Sequence, residues 1–201
     1  MYAFRIKGGE PLRGEISLSG SKNASLPIFA AALLLRDPVV IKNVPEVRDI
    51  FTMVELLKHL GVDVRKIENG VWRIHAQDIK TPEAPYEIVK TMRASIYVLA
   101  PLLLRKGEAR VSMPGGCAFG PRPVNFHLDG LNLLGAKIKI EHGYIVAKAP
   151  LLRGAEIVFD RKSVGATAHL MMASVLAKGN TVLKNAALEP EICLLYTSDA
   201  A

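Results

Sequence analysis

Apolar positions along the chain gather into three blocks that repeat one another. Lys22 to Pro45 (KNASLPIFAAALLLRDPVVIKNVP) parallels Met92 to Pro114 (MRASIYVLAPLLLRKGEARVSMP), and both parallel Val164 to Ala186 (VGATAHLMMASVLAKGNTVLKNA). Each block predicts an apolar helix, a short turn and a strand. In the first two blocks the pattern runs on into a second helix, read over Leu56–Val64 (LLKHLGVDV) and Leu131–Ile138 (LNLLGAKI). A hairpin follows each, with turns at Asn69-Gly70 and His142-Gly143 between alternating strands, VDVRKI with VWRIHA and AKIKI with YIVAKA. The third block stops before an equivalent second helix. The expectation is an α/β fold of three repeated helix-strand units, the third truncated.

The repeat exposes one irregularity. Pro45 to Gly61 covers 16 positions, whereas the matching Pro114 to Gly135 covers 21, so the second unit carries five extra residues. They fall in PGGCAFGPRPVN (Pro114 to Asn125), whose three Gly and three Pro exclude a helix or a central strand. Insertions on a repeated frame tend to be functional loops. This one offers a thiol, Cys117, and a guanidinium, Arg122 set between Pro121 and Pro123; the alternative is an inert, buried Cys.

The starts of the apolar helices add charge. Ser19-Gly20-Ser21 supplies cap oxygens ahead of Lys22 and Asn23; Met92-Arg93 opens the second unit's helix; Arg161-Lys162 precede Ser163-Val164-Gly165 at the third. Packed about a pseudo-threefold axis, three helix N-termini point one way. They would present unpaired N–H groups together with Lys22, Arg93, Arg161 and Lys162, an anion site. The alternative for each residue taken singly is a solvated charge near a cap.

Composition narrows the partners. The chain has 201 residues, half of them hydrophobic, enough for a sizeable core. Its longest apolar run, Ala24 to Leu35, is too short for a bilayer and contains Pro27, and MYAFRIKGGE lacks a signal-peptide apolar region. Two Cys make no disulfide framework, which suits a cytoplasmic location. The net charge of +7 favours anionic partners, while aromatics at 6% do not interleave with the basic residues, so nucleic acid is poorly supported.

Four ordered motifs, GSKNASLP (Gly20 to Pro27), KTMRASI (Lys90 to Ile96), PGGCAFGPRPVNFH (Pro114 to His127) and KSVGAT (Lys162 to Thr167), closely resemble the enolpyruvyl transferase family and, within it, the UDP-N-acetylglucosamine 1-carboxyvinyltransferases. The resemblance runs from about Phe4 to Ile192. It implies an inside-out α/β barrel fold of two domains, each of three repeats, with the active site between them, and a chain about half the family's length. On that basis residues 1–21 form an N-terminal strand segment, about Tyr2 to Ser19, that belongs with the other domain. Residues 22–192 form the three-repeat domain. Glu189 to Ile192 fits the family, but Cys193 to Ala201 does not continue it and resembles translated adapter sequence, so 193–201 is expected to be a non-native tail.

The resemblance also assigns roles. Lys22 belongs to a phosphoenolpyruvate site, with Asn23 beside it and near the sugar; Arg93 and Arg122 match cleft arginines; Cys117 matches the proton donor. Arg122, Pro123, Val124, Asn125 and Phe126 match a segment gripping the uridine nucleotide, with His127 adjoining, and Arg161, Lys162, Ser163 and Val164 match a second nucleotide-binding run. Three positions depart from the family pattern: Asn125 replaces Asp, Arg161 replaces Lys and Tyr97 replaces Trp. Asn125 can still hydrogen-bond a uracil edge but adds no charge. The implied reaction is transfer of an enolpyruvyl group from phosphoenolpyruvate to the 3′-hydroxyl of UDP-N-acetylglucosamine, with no cofactor and no metal. A thiol of reference pKa about 8.5 stays mostly protonated at neutral pH and can serve as the acid. Alternatives are a 5-enolpyruvylshikimate-3-phosphate synthase-like transferase, which lacks the Cys-bearing loop, and a non-catalytic basic anion-binding module.

Overall fold

The computed structural model describes residues 3–9, 11, 13–114 and 124–198. The first unit runs α1 (Lys22–Ala31, prolonged by a 3-10 turn, Ala32–Leu34), β1 (Val39–Ile41), α2 (Arg48–His59), β2 (Asp63–Glu68) and β3 (Val71–His75). The second runs β4 (Glu83–Ala84), α3 (Tyr86–Val89), a 3-10 turn (Arg93–Val98), α4 (Leu99–Lys106), β5 (Glu108–Ser112), α5 (Asn125–Leu133), β6 (Lys137–Glu141) and β7 (Tyr144–Lys148). The third runs β8 (Glu156–Val158), α6 (Val164–Val175), β9 (Val182–Lys184) and α7 (Pro190–Ser198). Each unit has its own sheet, ordered β1-β3-β2, β4-β5-β7-β6 and β8-β9. The strand before the first helix pairs parallel with the strand after it in units two and three, β4 with β5 and β8 with β9, the crossover arrangement of a βαβ step.

The helices lie inside and the sheets outside. α1 and α6 are apolar nearly all round, burying Leu26, Phe29 and Ala30 from one and Ala168, Leu170 and Met172 from the other, as central helices must. They pack on each other and on the 3-10 turn and α4, and α2, α5 and α7 close around them. One continuous core takes residues from all three units. Arg105, near the end of α4, ties the first two units together. Its guanidinium donates to Leu33 O (2.7 Å), Leu35 O (3.1 Å), Ala76 O (2.9 Å) and Gln77 O (2.9 Å), carbonyls left without helical or strand partners.

Both hairpins form where the alternation places them, β2 with β3 and β6 with β7. The His142-Gly143 turn has positive φ at both residues, +50° and +78°, the geometry that matches strand twist. The second helices differ from the sequence reading. The window Leu56–Val64 straddles a helix end: α2 begins at Arg48 and stops at His59, and Gly61, at φ +92°, turns the chain so that Val62 N–H reaches back to Leu57 O. Gly135, at φ +97°, does the same after α5, with Ala136 N–H bonding to Leu131 O, so the helix read over Leu131–Ile138 is Asn125–Leu133. This is the glycine-terminated helix stop, and it explains why apolar periodicity alone overran it.

One further expectation is corrected. The third unit does possess a second helix: Pro190 opens α7, a position where its missing N–H costs nothing, and Ile192 and Leu195 are buried where α7 packs on α1 and α6. The helix therefore runs through most of the segment expected to be a tail; residues 199–201 lie outside the described residues. The N-terminal segment that the resemblance pairs with the other domain is unpaired among the described residues, leaving Phe4, Ile6, Ile16 and Leu18 exposed; Tyr2 lies outside the described residues. A strand takes its hydrogen bonds from a neighbour, and this stretch pairs with no strand of the described chain. No helix among the described residues is long and apolar enough to cross a membrane.

Candidate active site at the helix N-termini

Ser21 opens α1, its Oγ accepting the Ala24 N–H at 3.2 Å, so Lys22 and Asn23 stand on the first turn. Ser163 does the same for α6, accepting the Ala166 N–H at 3.3 Å and leaving Val164 and Gly165 at the start. In the second unit extended backbone at Met92 leads straight into the 3-10 turn that begins at Arg93. These three starts meet at one pocket of about 560 Å³, lined by Lys22, Asn23, Arg93, Val164 and Gly165 among others. The second helices of the units also aim their N-termini here, each adding one titratable side chain from its first turn: Asp49 of α2, His127 of α5 and Glu191 of α7. Converging N-termini make the pocket electropositive before any side chain is counted.

The side chains divide into charged and neutral sets. Lys22 Nζ lies 2.9 Å from Asp49 Oδ2, both side chains remaining part-exposed. Burial pushes the His127 imidazole down to about 4, and the nearby Arg93 charge adds to the effect. His169 of α6 lies behind it, ring centroids 5.1 Å apart, and burial followed by the neighbouring His127 drives its pKa well below the usual histidine value. His169 Nε2 accepts the Ala100 N–H at 3.1 Å, which fixes the neutral ring with its proton on Nδ1. The Nδ1 atoms of both histidines are buried without a hydrogen-bond partner among the described residues. Burial pushes the Tyr97 phenol up to about 12, reinforced by Glu191 and opposed by Arg93. At neutral pH the pocket therefore has an uncharged floor of Tyr97 and His127 beneath the Lys22, Arg93, Asp49 and Glu191 side chains. Among the described residues no three His, Cys, Asp or Glu side chains gather as a metal site would require.

Of the sequence-predicted residues, Lys22, Asn23, Arg93, His127 and Val164 meet in this pocket. Val124 is buried just ahead of α5, Asn125 is exposed at its start, and Phe126 packs edge-on against Phe159 with ring centroids 6.2 Å apart. Arg161 stands over the Phe126 ring at 5.6 Å, joining the two segments assigned to nucleotide binding, while Lys162 is exposed and Ser163 serves as the α6 cap. Cys117, Arg122 and Pro123 lie outside the described residues. The connection that carries them spans residues 113–124, against 42–47 in the first unit and 185–189 in the third, so the extra length belongs to the second unit alone. Sequence reasoning missed Asp49 and Glu191. Their signal lay in the repeat itself, since Asp49 and Glu191 occupy the same place in equivalent helices.

The chain matches the family model described as EPSP synthase (3-phosphoshikimate 1-carboxyvinyltransferase) over residues 6–197. It is 57% identical over 193 residues to a UDP-N-acetylglucosamine 1-carboxyvinyltransferase of Solibacter usitatus (strain Ellin6076), an alignment covering 96% of this chain and 46% of that one. The chain thus spans about half the length of the curated relative it matches. Among solved structures it is similar to the enolpyruvyl transferase NikO from Streptomyces tendae, with a TM-score of 0.83 at 23% identity over 96% of this chain and 45% of that one. It is also similar to EPSP synthase from Acinetobacter baumannii, with a TM-score of 0.70 at 16% identity over 89% and 42%. The fold is that of the enolpyruvyl transferase barrel, of which these residues supply a part, and the chain belongs to the EPSP synthase (3-phosphoshikimate 1-carboxyvinyltransferase) family.

Proposed function

We propose that this chain forms half of an enolpyruvyl transferase that moves the enolpyruvyl group of phosphoenolpyruvate to the 3′-hydroxyl of UDP-N-acetylglucosamine, a step of peptidoglycan synthesis. The observation that carries the reading is the 57% identity, along nearly the whole chain, to a UDP-N-acetylglucosamine 1-carboxyvinyltransferase. The pocket supports it. Phosphoenolpyruvate brings a carboxylate and a phosphate, and a site for it needs clustered cations and oriented N–H dipoles such as Lys22, Arg93 and the converging helix starts. Arg122 adds a third cation and Cys117 the acid. The thiol gives its proton to the vinyl CH₂, the sugar hydroxyl adds to the oxocarbenium-like carbon and loses its own proton to solvent, and the C–O bond to phosphate breaks as a methyl proton returns to the thiolate, leaving the enol ether. The segments Arg122–Phe126 and Arg161–Val164 hold the uridine nucleotide, with His127 beside them.

The test joins these 201 residues to the C-terminal half of the Solibacter usitatus relative and measures phosphate release from phosphoenolpyruvate. Turnover is expected with UDP-N-acetylglucosamine. Cys117→Ser should abolish it and Cys117→Asp should keep part of it, because a hydroxyl is too weak an acid and a carboxyl with a raised pKa is not. A Ser variant as active as the parent removes Cys117 from the acid role. Phosphate release with shikimate 3-phosphate but not with the sugar nucleotide would move the chain to the reaction for which its family model is named. A salt-dependent gel shift on nucleic acid, without protection of Cys117 by UDP-N-acetylglucosamine, would favour a basic binding module.

A further inference from the structure

The pocket contains carboxylates that a site evolved only to attract anions has no reason to hold. Asp49 and Glu191 enter it from the first turns of α2 and α7, beside Lys22 and Arg93. Asp49 is engaged directly, its Oδ2 lying 2.9 Å from Lys22 Nζ, in a pair whose part-exposed side chains contribute little to folding stability. The rest of the wall cannot relieve a negative charge by ionising. Tyr97 and His127 stay neutral at pH 7.

Lys22 fixes where an incoming oxyanion meets Asp49. An ammonium holds its acceptors at roughly tetrahedral angles, so an anion oxygen bound to Nζ sits about 4.6 Å from Oδ2. At that separation a fully ionised oxyanion is repelled by the carboxylate of the part-exposed pair. An oxyanion that carries a proton removes the repulsion, because a neighbouring O–H of the same group can donate to the carboxylate in a short charge-assisted bond. A carboxylate has room for about four such donors, and Lys22 supplies one.

We propose that Asp49 makes this pocket selective for a protonated oxyanion, hydrogen phosphate free or as the hydrogen form of a phosphate monoester, over an oxyanion with no proton to give. Asp49 is in this sense a specificity-determining residue. The inference rests on reading the pocket as the phosphate-binding part of the proposed transferase, and it is independent of which acceptor that enzyme uses. It implies that the phosphoryl group of the donor binds with a proton and leaves with it as hydrogen phosphate.

The experiment titrates the 201-residue chain with inorganic phosphate, with sulfate and with phosphoenolpyruvate at pH 7 and matched ionic strength, by calorimetry, with helicity checked by circular dichroism. Phosphate and sulfate share shape and size, but sulfate carries no proton at this pH. The parent should bind phosphate at least about tenfold tighter than sulfate. Asp49→Asn, whose carboxamide donates as well as accepts, should bring the ratio within about twofold, mainly by strengthening sulfate. A ratio unchanged in the variant, or a parent that binds the two anions equally or neither, overturns the proposal. Should the variant fail to fold, the parent ratio decides alone, and a value near one overturns it. Phosphoenolpyruvate, compared at pH 6 and pH 8, separates the two sources of the group: tighter binding at pH 6 fits a monoester taken in its hydrogen form, while binding of phosphate alone restricts the site to the released product. Enolpyruvyl transfer by the joined protein reports separately on the proposed function, so selectivity without transfer, or transfer without selectivity, shows which of the two has failed.

Discussion

His127 lines the floor of the pocket with His169 one layer behind it, and the cost of burying the pair is set by protonation. Burial holds both imidazoles below the usual 6.5, His127 at about 4 and His169 well below its ordinary value. The folded state therefore leaves them neutral while the unfolded chain takes up protons as pH falls below 6.5. Stability accordingly drops on acidification through the window from 6.5 to about 4, and for His127 the loss is complete below about 4. A shift of that size corresponds to about 3 kcal/mol for His127, of which about 2 kcal/mol is lost by pH 5. Urea unfolding at pH 7.5 and pH 5 should show the parent losing more stability than His127→Gln by roughly that difference; identical pH slopes would mean that His127 titrates normally in the fold. Neither histidine role was legible in the sequence. His127 was read only through its neighbours in the PGGC motif, and His169 is one polar letter in ATAHLMMA, where nothing but the packing of α6 against α4 and α5 reveals the ring it faces. Lys22 and Arg93, by contrast, were legible because helix starts carry local signals: a Ser cap in one case, and in the other recurrence at the equivalent place of the repeat.

Among the elements, α5 crosses α6 closely beside the site. A Cβ built on Gly130 of α5 would lie 2.2 Å from Leu170 Cδ1, and Leu170 is fully buried in α6. Two effects compete in Gly130→Ala. Helix propensity favours Ala by about 1 kcal/mol, while overpacking a closed core costs about 1–3 kcal/mol. The clash should win, because Leu170 has no surface to retreat to, and His127, one turn earlier on α5, should shift with the helix. Chemical denaturation should find Gly130→Ala less stable than the parent, and Leu170→Ala in the same chain should recover part of the loss, giving a coupled double-mutant cycle. Strict additivity of the two changes would show that α5 moves freely. Element existence was the most legible feature, since period and repeat located the central helices and both hairpins. Helix ends were the least legible. Gly61 and Gly135 look like interior residues of an apolar run until the chain is seen to reverse there, and α7 was missed because the third block was judged to stop at Ala186.

At the scale of the molecule, the pocket is one-sided. Lys22, Arg93 and the helix starts converge on a space that stays open to solvent along one side, and the exposed Phe4, Ile6, Ile16 and Leu18 form an apolar segment with no partner strand among the described residues. Enolpyruvyl transfer passes through an oxocarbenium-like centre, which water would capture in an open site, and the field of two or three cations is weakened by the same water. The curated relative is about twice as long, and this chain covers 46% of it. We therefore expect the 201 residues alone to bind phosphate and phosphoenolpyruvate weakly and to release no phosphate in the presence of UDP-N-acetylglucosamine. Adding the separately made C-terminal half of the Solibacter usitatus relative should restore measurable release, because a second wall can exclude water and complete the charge cage. The same addition should protect the N-terminal segment from proteolysis if residues 3–20 take up a strand against the added half. Turnover by the 201 residues alone at a rate near that of the mixture would sink the two-walled account of the site.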